Sequence, residues 1–182
     1  MTTGKKIYFA SDFHLGMPNV ERSLEREKSI VKWLQTISKD ASAIYLLGDV
    51  FDFWFEYKTV VPKGFVRFLA AICEITDSGI PVYLFPGNHD LWVGKYLENE
   101  CGVVVVKNAI KIKLGQELCY LHHGDGLGPG DTSYKWMKKV FLSKFAQKAF
   151  ATIHPGIGVS FAHKLSRKSR LSQNPKEDNY LG

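Results

Sequence analysis

The sequence has few cysteines and no long apolar run, and both shortages narrow the possible functions. Its three cysteines, Cys73, Cys101 and Cys119, are widely spaced in apolar surroundings and form no CxxC pair, which predicts reduced thiols rather than disulfides or a cysteine zinc site. No stretch is long and apolar enough to span a bilayer, and the first residues do not resemble a secretory signal. We therefore expect a cytosolic protein in a reducing compartment.

Acidic residues are absent from one long segment. Between Thr132 and Arg170 the chain carries nine lysines and arginines but no acid over 39 residues, although its net charge is only +6. Large apolar residues such as Trp136, Phe141 and Phe145 recur among these cations with roughly helical spacing. An ordinary solvated face mixes both signs, so this pattern favours an anionic membrane surface or an anionic, apolar ligand. A helix with its apolar stripe in the core is the alternative, and no recognised motif supports nucleic-acid binding.

The remaining composition predicts one ordinary domain, since 45% of the 182 residues are hydrophobic. In the first part of the chain strands alternate with helices, which predicts an α/β fold with a largely parallel sheet. The predicted strands are 5–10, 43–47, 82–85, 103–106, 109–114 and 117–121. The predicted helices are 20–37, 63–76, 91–100, 131–153 with Asp131 as N-cap, and a last one from a break at 154–156 to about 170.

Four short segments with metal-ligand side chains each follow an apolar run. Strand ends in an α/β sheet hold side chains rigidly, and the loops there leave room for a substrate. We therefore expect all four segments to meet at one edge of the sheet. They are Asp12-Phe13-His14, Gly48-Asp49, Gly87-Asn88-His89-Asp90 and His122-His123-Gly124-Asp125.

The side chains of these segments are typical of metal-assisted hydrolysis. Strand alternation would point Asp12 and His14 to the same side, so that both can hold one ion, and Asp49 has two oxygens that can bridge two ions. Together with the Asn88 amide and the His123 imidazole, and with no thiolate, this set suits Mn²⁺, Fe or Zn²⁺. Two such ions can polarise a phosphoryl group and activate water, so the pattern predicts phosphoester hydrolysis without a protein nucleophile.

His89 is expected to act apart from the ligands. It could stabilise the phosphoryl charge and protonate the leaving oxygen, with Asp90 fixing its tautomer. A single histidine beside a glycine is more often structural, so this interpretation depends on the four segments together. His122 is expected to point away from His123, and His154 to be a turn residue at a helix break.

These motifs resemble a known family. In order and spacing they are similar to those of the calcineurin-like metallophosphoesterases, over about residues 7–125. The resemblance implies a four-layer α/β/β/α sandwich around a dinuclear metal centre. It further implies two divalent ions, manganese or alternatively iron or zinc. The implied ligands are Asp12, His14 and Asp49 for one ion, and Asp49, Asn88 and His123 for the other.

Within that superfamily the chain resembles the UDP-2,3-diacylglucosamine hydrolases of the lipid A pathway, through 12–16, 47–54, 123–127 and Asp131-x-x-Tyr134. The resemblance implies hydrolysis of UDP-2,3-diacylglucosamine to UMP and 2,3-diacylglucosamine 1-phosphate at the cytosolic face of the inner membrane. It also implies a helical, basic and aromatic cap over this nucleotide-linked acylated sugar. The implied substrate contacts are Asp131, Tyr134, Arg167 and Arg170.

The predicted organisation is a metallophosphoesterase core at 1–130, a cap at 131–171 and a polar tail at 172–182. The family continues after its cap into further strands with a Gly-His-x-His motif, and no such motif follows Arg170. We therefore expect the sandwich to lack these C-terminal strands, and His154 and His163 do not have the spacing to replace the motif. A phosphodiesterase or phosphatase with another substrate, and a non-catalytic lipid- or membrane-binding relative, are the alternative functions.

Overall fold

The computed structural model describes residues 5–127 and 132–173, without the side chains of 133, 134 and 167–173. Its main sheet has four parallel strands that are hydrogen-bonded in chain order. These strands are β1 (Lys6–Ala10), β2 (Ala41–Leu46), β3 (Val82–Leu84) and β4 (Val104–Val105). They are connected by α1 (Val20–Ile37), α2 (Val66–Asp77) and α3 (Tyr96–Cys101). The predicted alternation and the parallel sheet are confirmed.

A separate hairpin follows the parallel sheet. Its strands, β5 (Ile110–Leu114) and β6 (Glu117–Leu121), pair antiparallel across a turn at Gly115, which has a φ of +61°. The hairpin contributes Leu121 to a small apolar cluster with Tyr45 and Phe85 of the parallel sheet region. The fourth motif segment therefore comes from a second sheet, and the expectation that one sheet presents all four segments is wrong.

The larger core lies between the parallel sheet and α1 and α2. Leu34, Ile44, Ile72 and Leu84 are almost completely buried there. Burying one such aliphatic side chain contributes about 1.5–3 kcal/mol. The central strand β2 has four consecutive buried residues at its carboxyl end, which is typical of a strand covered on both faces. This packing fixes the strand ends from which the motif loops leave.

Carboxylates from distant parts of the chain replace local caps at two helix starts. Phe65 has a left-handed backbone with φ +58° and makes no side-chain cap, and instead the buried Glu27 of α1 accepts the amides of Arg67 and Phe68. Glu56 likewise accepts the amides of Gly94 and Tyr96. Because these distant acids set the first turns, α2 begins three residues and α3 five residues after the predicted starts.

Three helices follow the hairpin, namely α4 (Thr132–Leu142), α5 (Lys144–Ala151) and α6 (Pro155–Gln173). The prediction of one helix over 131–153 is wrong, because Ser143 is extended and its hydroxyl accepts the amide of Ala146 as an N-cap. His154 has the expected turn position, since its Nδ1 accepts the amide of Gly156. Asp131, the predicted N-cap residue of this helix, lies outside the described residues. None of the helices that the structure describes has both the length and the apolar character needed to cross a bilayer.

Candidate metal centre

The loops after β1 and β2 run side by side with unusual backbone conformations. Asp12, His14 and Asp49 all have left-handed φ values, of 60°, 43° and 54°. Each such residue costs about 1–3 kcal/mol and persists only where its surroundings hold it. Here the amides of Asp12 and His14 donate to the carbonyls of Gly48 and Asp49. Asp12 and His14 thus lie beyond the strand, and their proximity comes from these turns rather than from strand alternation.

The five predicted ligands come together, with Asp49 at their centre. Its Oδ2 lies 3.3 Å from Nε2 of His123 and 3.9 Å from Nε2 of His14. Nε2 of His14 is 3.7 Å from Oδ1 of Asp12, and Nε2 of His123 is 3.3 Å from Oδ1 of Asn88. Four segments that are distant in sequence therefore converge on one carboxylate that is almost fully buried.

The donor atoms form two sets, each with all its atoms within 4.8 Å of one another. One set is His14, Asp49 and His89, and the other is Asp12, Asp49 and His123. Both contain Asp49, as a bridging carboxylate would. The sets divide Asp12, His14 and His89 differently from the family resemblance, which pairs Asp12 with His14. The ligand assignment itself stays a prediction.

Two glycines make the close approach of these loops possible. A Cβ on Gly48, which has φ +96°, would lie 2.5 Å from Nδ1 of His123. A Cβ on Gly87 would collide with the carboxylate of Asp49 and lie 2.5 Å from its backbone nitrogen. Gly48 and Gly87 therefore leave space beside the predicted ligands that any larger side chain would fill.

The orientation of His123 fits a metal ligand. Its Nδ1 lies 2.7 Å from the carbonyl oxygen of Leu47, so a proton on Nδ1 is held there and Nε2 faces Asp49 and Asn88. Burial opposes a charge on this ring, but the hydrogen bond to Asp49 and the charge of that carboxylate raise the pKa of His123 to about 9. A positive charge on this ring is thus favoured beside Asp49.

The electrostatics of Asp49 also favour a cation. Burial opposes its negative charge, but the hydrogen bond from His123 and the amide of His89, which donates to Oδ1 at 2.9 Å, outweigh burial. The pKa of Asp49 consequently lies below its usual value. The carboxylate is ionised at neutral pH and suited to bridge two ions.

Asp90 has a different position from the one expected. Its carboxylate is fully buried and accepts backbone amides from Gly87, Asp49, Val50 and Phe51 at 2.7–3.3 Å. Burial and the charge of Asp49 raise the pKa of Asp90 to about 7, while these amides act in the opposite direction. The expected orientation of the His89 ring by Asp90 is not the arrangement seen, because Asp90 instead joins the second loop to the third. Its catalytic role stays a prediction.

The ring of His89 lies against Asp52. Its Nδ1 is 3.4 Å from Oδ1 and 3.2 Å from the carbonyl oxygen of this fully buried residue. The ring also meets that of His14 edge-on, with 4.9 Å between centroids. Asp52 therefore has the orienting position that the sequence interpretation gave to Asp90. Its position three residues after Asp49, within the stretch 47–54 that carries the family resemblance, was the available signal.

Helix α6 reaches the same carboxylate from the other side. The hydroxyl of Ser166 donates to Oδ1 of Asp52 at 3.0 Å and lies 3.3 Å from Nδ1 of His89. Nδ1 of His163 is 3.4 Å from Oδ2 of Asp52. His163 therefore borders the site through Asp52, and no sequence motif had indicated this contact or that of Ser166.

The fourth segment is fixed to α4. The carboxylate of Asp125 pairs with Lys138 at 2.5 Å. Nδ1 of the neighbouring His122 accepts the amide of Gly124, and its ring stacks on that of Tyr120. His122 is thus not a member of either donor set.

The four predicted substrate contacts are only partly covered by the structure. Asp131 lies outside the described residues. Tyr134 lies in α4, and Arg167 and Arg170 lie in α6, where the backbone is described but these side chains are not. Their roles stay predictions.

Sequence comparison shows the family of this chain. A profile described as Calcineurin-like phosphoesterase matches residues 5–177. The protein belongs to the calcineurin-like phosphoesterase family. The matched range contains all four loops around Asp49, and the predicted class of fold is confirmed.

Several relatives of this phosphoesterase are named UDP-2,3-diacylglucosamine hydrolase. The protein of that name from Porphyromonas gingivalis is 41% identical over 92% of this chain and 64% of its own length. Those from Hamiltonella defensa and Histophilus somni are 32% and 28% identical, over 93% and 94% of this chain and 64% and 71% of their own lengths. The chain thus spans about two thirds of the curated relatives that it matches.

One solved structure is also similar. A protein of unknown function from Aquifex aeolicus matches 74% of this phosphoesterase and 70% of its own chain, with a TM-score of 0.46 and 18% identity. Likeness at this level does not establish a shared fold.

Proposed function

We propose that this phosphoesterase hydrolyses UDP-2,3-diacylglucosamine to UMP and 2,3-diacylglucosamine 1-phosphate. The observation that carries the proposal is the pair of donor sets that share Asp49. The 41% identity to a relative with that printed name supports the substrate. Water supplies the oxygen of the newly formed phosphate group, and the bond broken is one P–O bond of the pyrophosphate.

In this mechanism the ligands are Asp12, His14, Asp49, Asn88 and His123. Two divalent ions bound there, manganese or alternatively iron or zinc, would polarise the phosphoryl group and make water nucleophilic at neutral pH. Asp49 and Asn88 offer hard oxygen donors, and Leu47 holds the His123 ring so that Nε2 faces them. No side chain needs to form a covalent bond to phosphorus.

His89 would donate a proton to the leaving group. Asp52 holds its Nδ1, and a proton at the opposite nitrogen can then be given to the departing phosphate oxygen. The contacts of Ser166 and His163 to Asp52 tie this histidine to α6. The position of the proton donor would in this way depend on how α6 packs against Asp52.

The outer surface of α4–α6 suits an acylated substrate at an anionic membrane. Trp136, Phe145, Ile157 and Phe161 are more than half exposed. Exposed lysines such as Lys148 lie on the same helices, where no acid is present between 132 and 170. Apolar groups among cations favour binding to an anionic lipid surface, so we propose a peripheral position at the cytosolic face of the inner membrane.

The test is UMP release from UDP-2,3-diacylglucosamine in detergent micelles, after removal of metal and readdition of Mn²⁺. The proposal predicts release that depends on the metal and is lost in Asp49→Asn. Hydrolysis of bis(p-nitrophenyl) phosphate without any UMP release would favour a phosphodiesterase with another substrate. Binding to anionic liposomes with no bound metal and no hydrolysis of either compound would favour a non-catalytic lipid-binding protein.

A further inference from the structure

A cavity of about 330 Å³ opens beside the metal centre. Its wall includes His123, whose ring also belongs to the donor set with Asp12 and Asp49. Binding cavities for small molecules are typically about 300–1,000 Å³. A ligand in this cavity could therefore place one end against the ions while the rest lies between the hairpin, the loop after β4 and the start of α5.

The lining chemistry indicates a nucleotide. The lining includes Lys138, which pairs with Asp125, and His123 of the donor set, and in addition it has two cations, two side-chain amides, an indole and an imidazole. Cations pair with phosphate, amides can donate to and accept from a base, and an aromatic ring offers a stacking surface. The residues that supply these groups are Lys107, Lys144, Asn108, Gln147, Trp92 and His122.

The charge in the cavity argues against an acyl chain as its occupant. Among the described residues that line it there is no carboxylate, so a hydrocarbon would cover Lys107 and Lys144 without neutralising them. Burying an unpaired ammonium group is costly. Large exposed apolar side chains are available instead on α4–α6, as at Trp136 and Phe145.

Trp92 is fixed in place on the wall of this cavity. Its indole nitrogen donates to the carbonyl oxygen of Phe141 at 2.7 Å, and its ring packs against those of Phe55 and Phe150. A rigid aromatic side chain loses little conformational entropy when a base stacks on it.

We infer that this cavity receives the uridine monophosphate half of the substrate, which rests on the proposed function. The pyrophosphate would then cross the metal centre from the cavity side, and the acylated sugar would lie toward the apolar surface of α4–α6. Lys107 and Lys144 would bind the nucleotide phosphate and ribose edge, and Asn108 and Gln147 the base.

The inference is tested by titrating UMP into the ¹⁵N-labelled 182-residue protein in EDTA and following the backbone amide signals. Without metal, phosphate cannot be held by ions, so binding reports the cavity. We expect shifts concentrated at 106–108, 122 and 144–147. The double variant Lys107→Ala with Lys144→Ala should raise the Kd for UMP about tenfold or more, as loss of two charge-assisted contacts implies.

The matched control is Lys111→Ala with Lys113→Ala, which removes the same charge from exposed positions outside the cavity. Its Kd for UMP should stay within about twofold of the parent value, a difference below ~0.5 kcal/mol. Three results would overturn the inference: no amide shifts at millimolar UMP, equal weakening in both double variants, or inorganic phosphate binding as tightly as UMP.

This experiment separates the cavity from the reaction because it needs no turnover. Shifts in the cavity together with a failure of UMP release would refute the proposed hydrolysis while leaving a nucleotide site. UMP release without any cavity shifts would leave the hydrolysis and refute the site.

Discussion

Oδ2 of Asp49 lies 3.3 Å from Nε2 of His123, and this contact joins a loop of the parallel sheet to the end of the hairpin. The hairpin reaches the site because Leu121, just before the last motif segment, packs with Tyr45 and Phe85. Asp125 then pairs with Lys138 of α4. The metal centre, the second sheet and the helical segment are thus connected through one short stretch of chain.

Asp49→Asn should abolish hydrolysis. The substitution keeps the shape but removes the charge shared by both donor sets, so we expect at least a ~10²-fold loss of kcat/KM, typical of changes around a metal. The measurement is Mn²⁺-dependent UMP release from UDP-2,3-diacylglucosamine by the parent protein and the variants under identical conditions. Asp77→Asn, at an exposed position near the end of α2, is the control and should keep full activity. Full activity in Asp49→Asn would refute the bridging role.

Asp90→Asn should destabilise the protein as a whole. An amide can accept fewer of the four backbone donors, and each buried donor left without a partner costs about 1–3 kcal/mol. We expect urea denaturation to show a loss of at least ~2 kcal/mol. Asp40→Asn, at a partly exposed carboxylate paired with Lys6, should cost much less, because surface ion pairs contribute little to stability. Equal stability of the two variants would show that Asp90 does not anchor the loops.

Gly87→Ala should weaken metal binding and stability together. The new methyl group would overlap the Asp49 carboxylate and approach its backbone nitrogen to 2.5 Å, so both the carboxylate and the loop that carries it must shift away from the donor sets. We expect calorimetric titration with Mn²⁺ to show affinity lowered at least ~10-fold, the range seen when the support of ligands is lost. Gly156→Ala, where the nearest atom to a new methyl group is a flexible histidine side chain, should bind metal normally.

Two phenylalanines of α5 should behave differently. Phe150 packs among Phe53, Phe55 and Trp92, whereas the side chain of Phe145 is 83% exposed. Phe150→Ala should cost about 3 kcal/mol, as for other packed phenylalanines, and should speed amide hydrogen exchange in α5 and α6. Phe145→Ala should change stability by less than ~0.5 kcal/mol. Similar exchange rates in both variants would mean that the aromatic cluster does not hold the helices.

The sequence was sufficient for the motif loops but not for how they are supported. Apolar runs followed by ligand-type residues predicted the strand ends and the convergence of Asp12, His14, Asp49, Asn88 and His123. The structural role of Asp90 could not be predicted from its position next to His89, because three of its four hydrogen-bond partners are backbone amides of another loop, about forty residues away. Nearly every residue type has the same backbone N–H group, so the sequence does not reveal which amides will donate to a buried carboxylate.

The observed helix boundaries differ from the predicted ones where residues distant in sequence determine them. Glu27 and Glu56 cap starts of helices far along the chain, which no local pattern indicates. Ser143 did carry a local signal, since serine is a favoured N-cap, but the continuous apolar spacing on either side concealed it. The contacts of His163 and Ser166 with Asp52 depend on how α6 packs, so periodicity alone could not reveal them.

The central claim is that Asp49 bridges two divalent ions. The most direct measurement is electron paramagnetic resonance of the metal-depleted protein reconstituted with about two equivalents of Mn²⁺, the content of a two-metal site. The bridged centre predicts the spectrum of a magnetically coupled manganese pair, which Asp49→Asn should lose. A spectrum of isolated Mn²⁺ ions only, unchanged by Asp49→Asn, would contradict it.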